Sequence, residues 1–363
     1  MRAIPCTIVR GGTSKGVFVL ESDLPDDPTQ RDRALLALMG SPDPRQIDGL
    51  GGADPLTSKV VIVAPSSRAN IDVEYDSLEV AIGESIVNHG IMCGNLLAGV
   101  GYFALNRKLV EPRLPVTTVR IYCRSNHKTI VALVPVSAGC ATGEHGTAND
   151  TAPVLLNFER PEGAVTGTLL PTGEPLSSLR MDDGRLIRFS AVDAGTLYAF
   201  LRADEFGLTG SEDAATLDGN ESFRATMEAA RTAIAHYVNA RKPPRPLPNP
   251  RRLKLAIVGT PTREDADIVA RVINPAKVHK AYAVGGAICL AAAAVTKGTV
   301  VHAIVAPRSS PCTVGIAHPT GTLAITAHYT VTAGCVELLG AQIERTARVL
   351  MQGIAYLPAG SRR

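Results

Sequence analysis

The chain has 363 residues with 37 Lys plus Arg against 34 Asp plus Glu, a net charge of +3 with neutral histidines. At roughly 150 residues per domain this length points to two domains, and 45% hydrophobic with 20% charged residues excludes a disordered or collagen-like chain. Aromatics are only 4%, with no Trp, while Gly (33) and Pro (25) are abundant, so aliphatic and Ala-rich cores between many tight turns are expected.

So small a charge, with no Lys/Arg run interleaved with stacking aromatics, argues against a nucleic-acid partner. The cysteines (Cys6, Cys93, Cys123, Cys140, Cys289, Cys312, Cys335) are odd in number and never form C-x-x-C, which disfavours a disulfide framework and a zinc ribbon. The histidines show no metal-ligand spacing such as H-E-x-x-H, so no metal is expected. Residues 1–20 contain neither a long apolar run nor a small-residue cleavage pattern, and the expected compartment is the cytoplasm, where the sequons at Asn149 and Asn220 carry no meaning. The longest apolar stretch, residues 281–296, falls short of the roughly 20 residues a membrane span needs and reads as a buried helix.

In chain order, residues 4–9 and 17–20 read as strands around the glycine-rich loop Arg10-Gly11-Gly12-Thr13-Ser14-Lys15-Gly16. A helix over 31–39 is ended by Gly40 and Pro42, and a long loop over 46–59 feeds a strand at 60–63. Residues 71–82 read as a strand pair, 93–105 as a buried helix, and 116–136 as two strands around a hairpin at 125–128. Gly, Thr, Pro and acidic residues dominate 137–184, and Asp182-Asp183-Gly184 is a turn signal, so the domain crossing is expected near 184. Strands at 186–192 and 196–201, a helix at 220–238, a basic Pro-rich connection at 241–252 and a strand at 254–258 follow. A short helix is expected at 264–271, a second buried helix at 279–296, and strands at 299–305 and 323–329 before a basic segment at 345–363. A strand ladder followed by a Gly/Ala-rich helix thus occurs once in each half, which predicts two similar halves facing each other across a cleft.

The Gly11–Gly16 loop lacks the G-K-[ST] order of a Walker A motif, and the loop at 49–54 lacks the third glycine of a dinucleotide fingerprint. Either is an ordinary tight turn, or a set of backbone N–H groups and hydroxyls that binds carboxylate as readily as phosphate. Lys59, after Thr57-Ser58, is an ordinary solvated strand-edge charge, or a general base if desolvation or a neighbouring cation lowers its pKa in a cleft. Cys93, just before Gly94-Asn95 at a predicted helix start, is either packing or a thiol activated by the helix terminus. No G-x-S-x-G elbow supports a serine hydrolase.

Taken together, Arg10 to Gly16, Gln46-Ile47-Asp48-Gly49-Leu50-Gly51-Gly52, Thr57-Ser58-Lys59 and Cys93-Gly94-Asn95-Leu96 closely resemble the PrpF family. The resemblance continues through Leu169-Leu170-Pro171-Thr172-Gly173, Gly207-Leu208-Thr209-Gly210, Val278-His279-Lys280-Ala281 and His318-Pro319-Thr320-Gly321, so it spans nearly the whole chain. It implies an α/β (α+β) diaminopimelate-epimerase-like fold, with two similar domains, each a curled sheet around a central helix, and the active site in the cleft between them. Residues 1–184, with 348–363 returning, would form one domain, and 185–347 the other.

The resemblance further implies a cofactor-independent isomerase or tautomerase that shifts a C=C bond in an unsaturated di- or tricarboxylate. The motifs at 40–43, 51–59 and 93–101 look closest to 4-oxalomesaconate tautomerases of aromatic-acid degradation, and 278–289 to methylaconitate isomerases, with aconitate Δ-isomerase a further alternative. Lys59 and Cys93 would be catalytic. Arg10, Thr13, Ser14, Ser58, Gly94, Asn95, His279, Lys280, His318, Thr320 and Gly321 would bind substrate, no membrane or nucleic acid would be a partner, and a homodimer is compatible with the family. In the parent epimerases a catalytic cysteine starts each central helix; here the second helix shows Val284-Gly285-Gly286-Ala287 and Cys289 lies inside it, which argues against a two-thiol racemase.

Overall fold

The computed structural model describes residues 2–90, 92–137, 140–141, 152–275, 277–305 and 309–358; the sequon at Asn149 and residues 359–363 of the expected returning segment lie outside these. The chain divides into two compact units, residues 1–157 with 344–363, and residues 158–343. The crossing predicted near 184 therefore comes earlier. Its physical reason is pairing: Glu162 bridges to Ala194, and residues 177–180 form a strand against 186–189, so the polar stretch before Gly184 is already part of the second unit.

In the first unit the strands are β1 (Arg2–Gly11), β2 (Ser14–Leu20), β3 (Lys59–Pro65), β4 (Val73–Val80), β5 (Val87–Asn88), β6 (Val116–Cys123), β7 (Lys128–Ser137), β8 (Cys140–Ala141) and β9 (Val154–Glu159), joined by β18 (Ala347–Leu357) from the chain's end. The helices are α1 (Pro28–Met39) and α2 (Gly94–Asn106). The predicted glycine-rich loop shrinks to the Gly12-Thr13 turn of a β1–β2 hairpin, the predicted strand pair at 71–82 is the single strand β4 followed by the two-residue β5, and most of the basic tail is β18, antiparallel to β1.

Side-chain alternation divides the sheet's two faces. Ile4, Cys6, Val17, Val19, Val60, Ile62, Leu78 and Val80 pack with Leu35, Leu38 and Met39 of α1. The opposite face closes on α2, which is buried from Gly94 to Leu105. The strands come close because α2 is Gly- and Ala-rich: a Cβ on Gly99 would stand 2.7 Å from Val9, and one on Gly101 2.5 Å from Val134. Low aromatic content thus serves the architecture, since bulkier residues on α2 would hold the sheet away.

In the second unit the strands are β10 (Ser177–Arg180), β11 (Leu186–Asp193), β12 (Leu197–Arg202), β13 (Leu253–Gly259), β14 (Ile268–Ile273), β15 (Cys312–His318), β16 (Gly321–Thr332) and β17 (Cys335–Arg345). Its helices are α3 (Ala214–Gly219), α4 (Glu221–Ala240), α5 (Val284–Val295) and α6 (His302–Val305). Phe223, Met227, Ile234 and Val238 of α4 cover one face of the sheet, while α5 is buried throughout. The helix expected at 264–271 is instead β14: all six of its residues are buried, and its Ile and Val side chains suit an interior strand. The strand expected at 299–305 is instead a turn into α6, with the Thr299 hydroxyl accepting from His302 N–H at 3.0 Å and donating to Ala293 O at 2.6 Å.

The two units repeat one pairing scheme. Antiparallel β1–β2, parallel β2–β3 across α1, antiparallel β3–β4, parallel β4–β6 across α2 and antiparallel β6–β7 match β11–β12, β12–β13 across α4, β13–β14, β14–β15 across α5 and β15–β16 in direction and order. Each buried Gly/Ala-rich helix occupies the same place in its unit.

Candidate active site

Lys59 opens β3, where the register sets it opposite Glu79 on β4. Its neighbours Val60 and Ile62 belong to the α1-side core, so Lys59 points to the α2 side. Lys59 is 7% exposed, and its ammonium donates to Glu79 Oε2 at 3.0 Å. Burial is the largest influence on its pKa and pulls it down, but electrostatic interaction with Cys93, Glu79 and Asp54, with the Glu79 hydrogen bond, outweighs burial and leaves the pKa above its ordinary value. The lowered pKa expected for a base is therefore reversed, because the neighbours are anions rather than cations.

Cys93 is the N-cap residue of α2, is half-buried, and makes no side-chain cap bond. Its Sγ lies 3.9 Å from the Ser14 hydroxyl, which the β1–β2 hairpin brings over the helix start. Asn95, in the first turn, donates to the Thr13 hydroxyl at 3.0 Å and so ties the hairpin turn to the helix. Gly12 has φ 50°, and a Cβ there would meet Asn95 Oδ1 at 2.6 Å. Lys59, Ser14, Thr13, Cys93, Gly94 and Asn95 therefore share one end of the first unit, around a helix N-terminus with no capping side chain. Such a terminus offers N–H donors and positive potential to a carboxylate.

Two predicted substrate contacts have other work. Ser58 is fully buried; its hydroxyl donates to Val80 O and accepts from Gln46 Nε2, both at 2.7 Å. It fastens the loop to the sheet on the α1 side and is not available to a ligand. Arg10 pairs across the sheet with Lys15, the α1-side neighbour of Val17, and its guanidinium donates to Gly12 O and Thr346 Oγ1, both at 3.1 Å. It supports the hairpin turn from behind.

In the second unit His279, Lys280, His318, Thr320 and Gly321 gather at the C-terminal end of the β14–β15 pair. His279 N–H donates to Val272 O at 2.9 Å, and its Nδ1 accepts from Ala281 N–H at 3.0 Å. His318 and Gly321 close the β15–β16 hairpin, with Thr320 at its exposed tip. The Cys289 thiol is wholly buried and donates to Ala194 O at 3.2 Å and Thr196 O at 2.9 Å, and burial holds its pKa far above the ordinary thiol value. It is a packing cysteine.

Glu79 and Gln46 were missed by sequence reasoning. Gln46 is 1% exposed and organises the 46–58 loop, accepting from Ala53 N–H at 2.9 Å and donating to Ser41 Oγ at 3.1 Å. Its signal was the glycine-rich motif around it, where a Cβ on Gly51 would strike the Gln46 amide. A separate cavity of about 730 Å³ lies near Pro65, at the other end of β3. Its charged residues Arg124, Glu21, Glu74 and Arg31 pair with one another, and Asp26 also lines it. Among the described residues no group of three or more His, Cys, Asp or Glu side chains could hold a metal ion, and no helix is long and apolar enough to cross a membrane.

Residues 1–358 match the model of the family described as PrpF protein. The chain is 36% identical, over 98% of both chains, to (4E)-oxalomesaconate Delta-isomerase of Novosphingobium sp. (strain KA1). It superposes on the crystal structure of a methylitaconate-delta-isomerase with a TM-score of 0.78 and 34% identity, covering 99% of this chain and 96% of that one. A hydroxyproline epimerase from Agrobacterium vitis matches in fold, with a TM-score of 0.60 at 15% identity over 99% and 95% of the chains. The architecture is thus the two-domain epimerase-like fold.

Proposed function

Because the chain belongs to the PrpF protein family, we propose that it is an isomerase that moves a C=C bond in an unsaturated tricarboxylate by 1,3-allylic proton transfer. The proposed substrate is 4-oxalomesaconate, with 2-methylaconitate or aconitate as the alternative. The 36% identity to the Novosphingobium isomerase supports the first, and the likeness to the methylitaconate isomerase structure supports the wider class.

One observation carries the mechanism: the enclosed Lys59 cation lies within electrostatic reach of Cys93 at the uncapped start of α2. The reactive pair is a neutral Lys59 amine and a Cys93 thiol. The amine takes the proton from the carbon γ to a carboxylate, and the C–H electron pair spreads over a dienolate. The thiol returns a proton at the other end of the allyl system, and a proton passed from the new ammonium to the sulfur resets the pair. The Gly94 and Asn95 N–H groups, with Thr13 and Ser14, hold a substrate carboxylate and the growing enolate charge. No step needs a metal or an organic cofactor.

Ultraviolet absorbance should follow turnover of oxalomesaconate, methylaconitate and cis-aconitate. Lys59→Ala should lower kcat by roughly 10²–10⁴, the usual worth of a positioned acid or base, and Cys93→Ser should lower it as well. Full activity in Lys59→Ala refutes the mechanism, and no turnover of any of the three by wild type refutes the function.

A further inference from the structure

We propose that Arg345 is a substrate-binding residue that receives a carboxylate beside Gly12 and Asn95; this rests on the isomerase reading above and extends its binding site. Arg345 ends β17 just after the chain has re-entered the first unit at Glu344, and β18 follows. Its Cδ stands 3.5 Å from where a Cβ on Gly12 would lie, the same point that Asn95 Oδ1 approaches to 2.6 Å. Its guanidinium is therefore at the hairpin turn that the Asn95 amide ties to α2.

The half-buried Arg345 side chain is poorly satisfied at its inner end. Nε is shut off from solvent with no hydrogen-bond partner, and the one bond found for the guanidinium runs from Nη1 to Glu344 O at 3.3 Å. Arg231 and Arg271, which are buried outright, are quite different. Arg231 donates to Leu253 O and Ile273 O, and Arg271 to Glu212 O, Ser211 O and Ala270 O, so both are held by backbone carbonyls as structural ties. Burial alone holds Arg345 down to about 10, with no anion to offset it.

The α1-side face of the same hairpin adds positive charge rather than removing it. Arg10 stands directly opposite Lys15 on β2 and opposite Arg348 on β18, a row of three like charges across the sheet. Like charges directly opposite destabilise a sheet, and none of Arg10, Lys15, Arg345 or Arg348 forms an ion pair among the described residues. A half-buried cation whose Nε has no acceptor is under-satisfied, and an incoming carboxylate would supply both the missing acceptor and the missing charge. A guanidinium presents a planar fork that matches a carboxylate with two parallel bonds.

The test uses propane-1,2,3-tricarboxylate, a saturated ligand that cannot isomerise, so that binding is read apart from chemistry. Calorimetric titration of the full chain should show at least tenfold weaker binding for Arg345→Gln and a smaller loss for Arg345→Lys. With a substrate that turns over, Arg345→Gln should raise KM and leave kcat nearly unchanged. A folded Arg345→Gln, or a folded Arg345→Lys if the first does not fold, that binds the ligand as wild type does overturns the proposal, as does a wild type that does not bind it. Binding that depends on Arg345 in a protein with no isomerase activity would uphold the site while refuting the catalytic reading.

Discussion

Lys59 Nζ lies 3.0 Å from Glu79 Oε2, with the two residues directly opposite on β3 and β4. The carboxylate does two things: it compensates a cation that is taken out of water, and it sets how tightly that cation holds its proton. In the proposed cycle the second effect opposes formation of the amine.

Glu79→Gln should therefore shift the alkaline limb of the kcat/KM profile to lower pH, because the lysine loses an anion that favours its charged form. Stability follows the same sign. With the folded pKa raised above the unfolded one, the pair contributes fully below the unfolded value near pH 10.4 and fades as pH rises through the folded value. The variant should lose about 1–2 kcal/mol at neutral pH, less than a fully buried pair would cost, because 33% of the Glu79 side chain meets solvent. An unmoved alkaline limb in a folded variant would count against Lys59 as the proton carrier.

Thiol accessibility separates the cysteines. Cys93 is half-buried and Cys335 exposed, whereas Cys6, Cys123, Cys289 and Cys312 are buried. Brief alkylation with iodoacetamide should label Cys93 and Cys335, and inactivation should persist in Cys335→Ser but be slowed by bound tricarboxylate. Peptide mass spectrometry checks this, and inactivation that tracks Cys289 would contradict its packing role.

Gly11→Ala should damage the site through its scaffold. The new Cβ would stand 2.2 Å from Asn95 O, a backbone atom in the first turn of α2 that cannot swing aside. Overpacking of this kind costs about 1–3 kcal/mol, and displacement of the helix start should also lower kcat. Gly16→Ala meets chiefly the Leu96 side chain, at 2.7 Å, and should cost less. Thermal melts of the two variants, read beside their kinetics, test the ordering.

The parts legible in the sequence are those that local pattern dictates. The uniform small-residue composition of α2 and α5 marked them as buried helices, and the β-branched run at 60–63 marked β3. The strand β14 was misread because its polar approach, residues 264–267, mimics a helix start, while its placement between β13 and β15 is a tertiary fact. At the site, Lys59 and Cys93 were legible as residue types in motifs. Ser58 and Arg10 were misjudged because which face a strand residue takes depends on register, and Glu79 was missed because an acid inside an alternating strand has no local signal until β4 is paired with β3.

The antiparallel pairing of β1 with β18 runs from Arg2 opposite Leu357 to Gly11 opposite Ala347. During synthesis this leaves one edge of the first strand unpaired until residues 347–357 have emerged. The second unit, drawn from one uninterrupted stretch of chain, can close while the first still waits, so the hairpin that carries Thr13 and Ser14 is among the last parts to be locked in place.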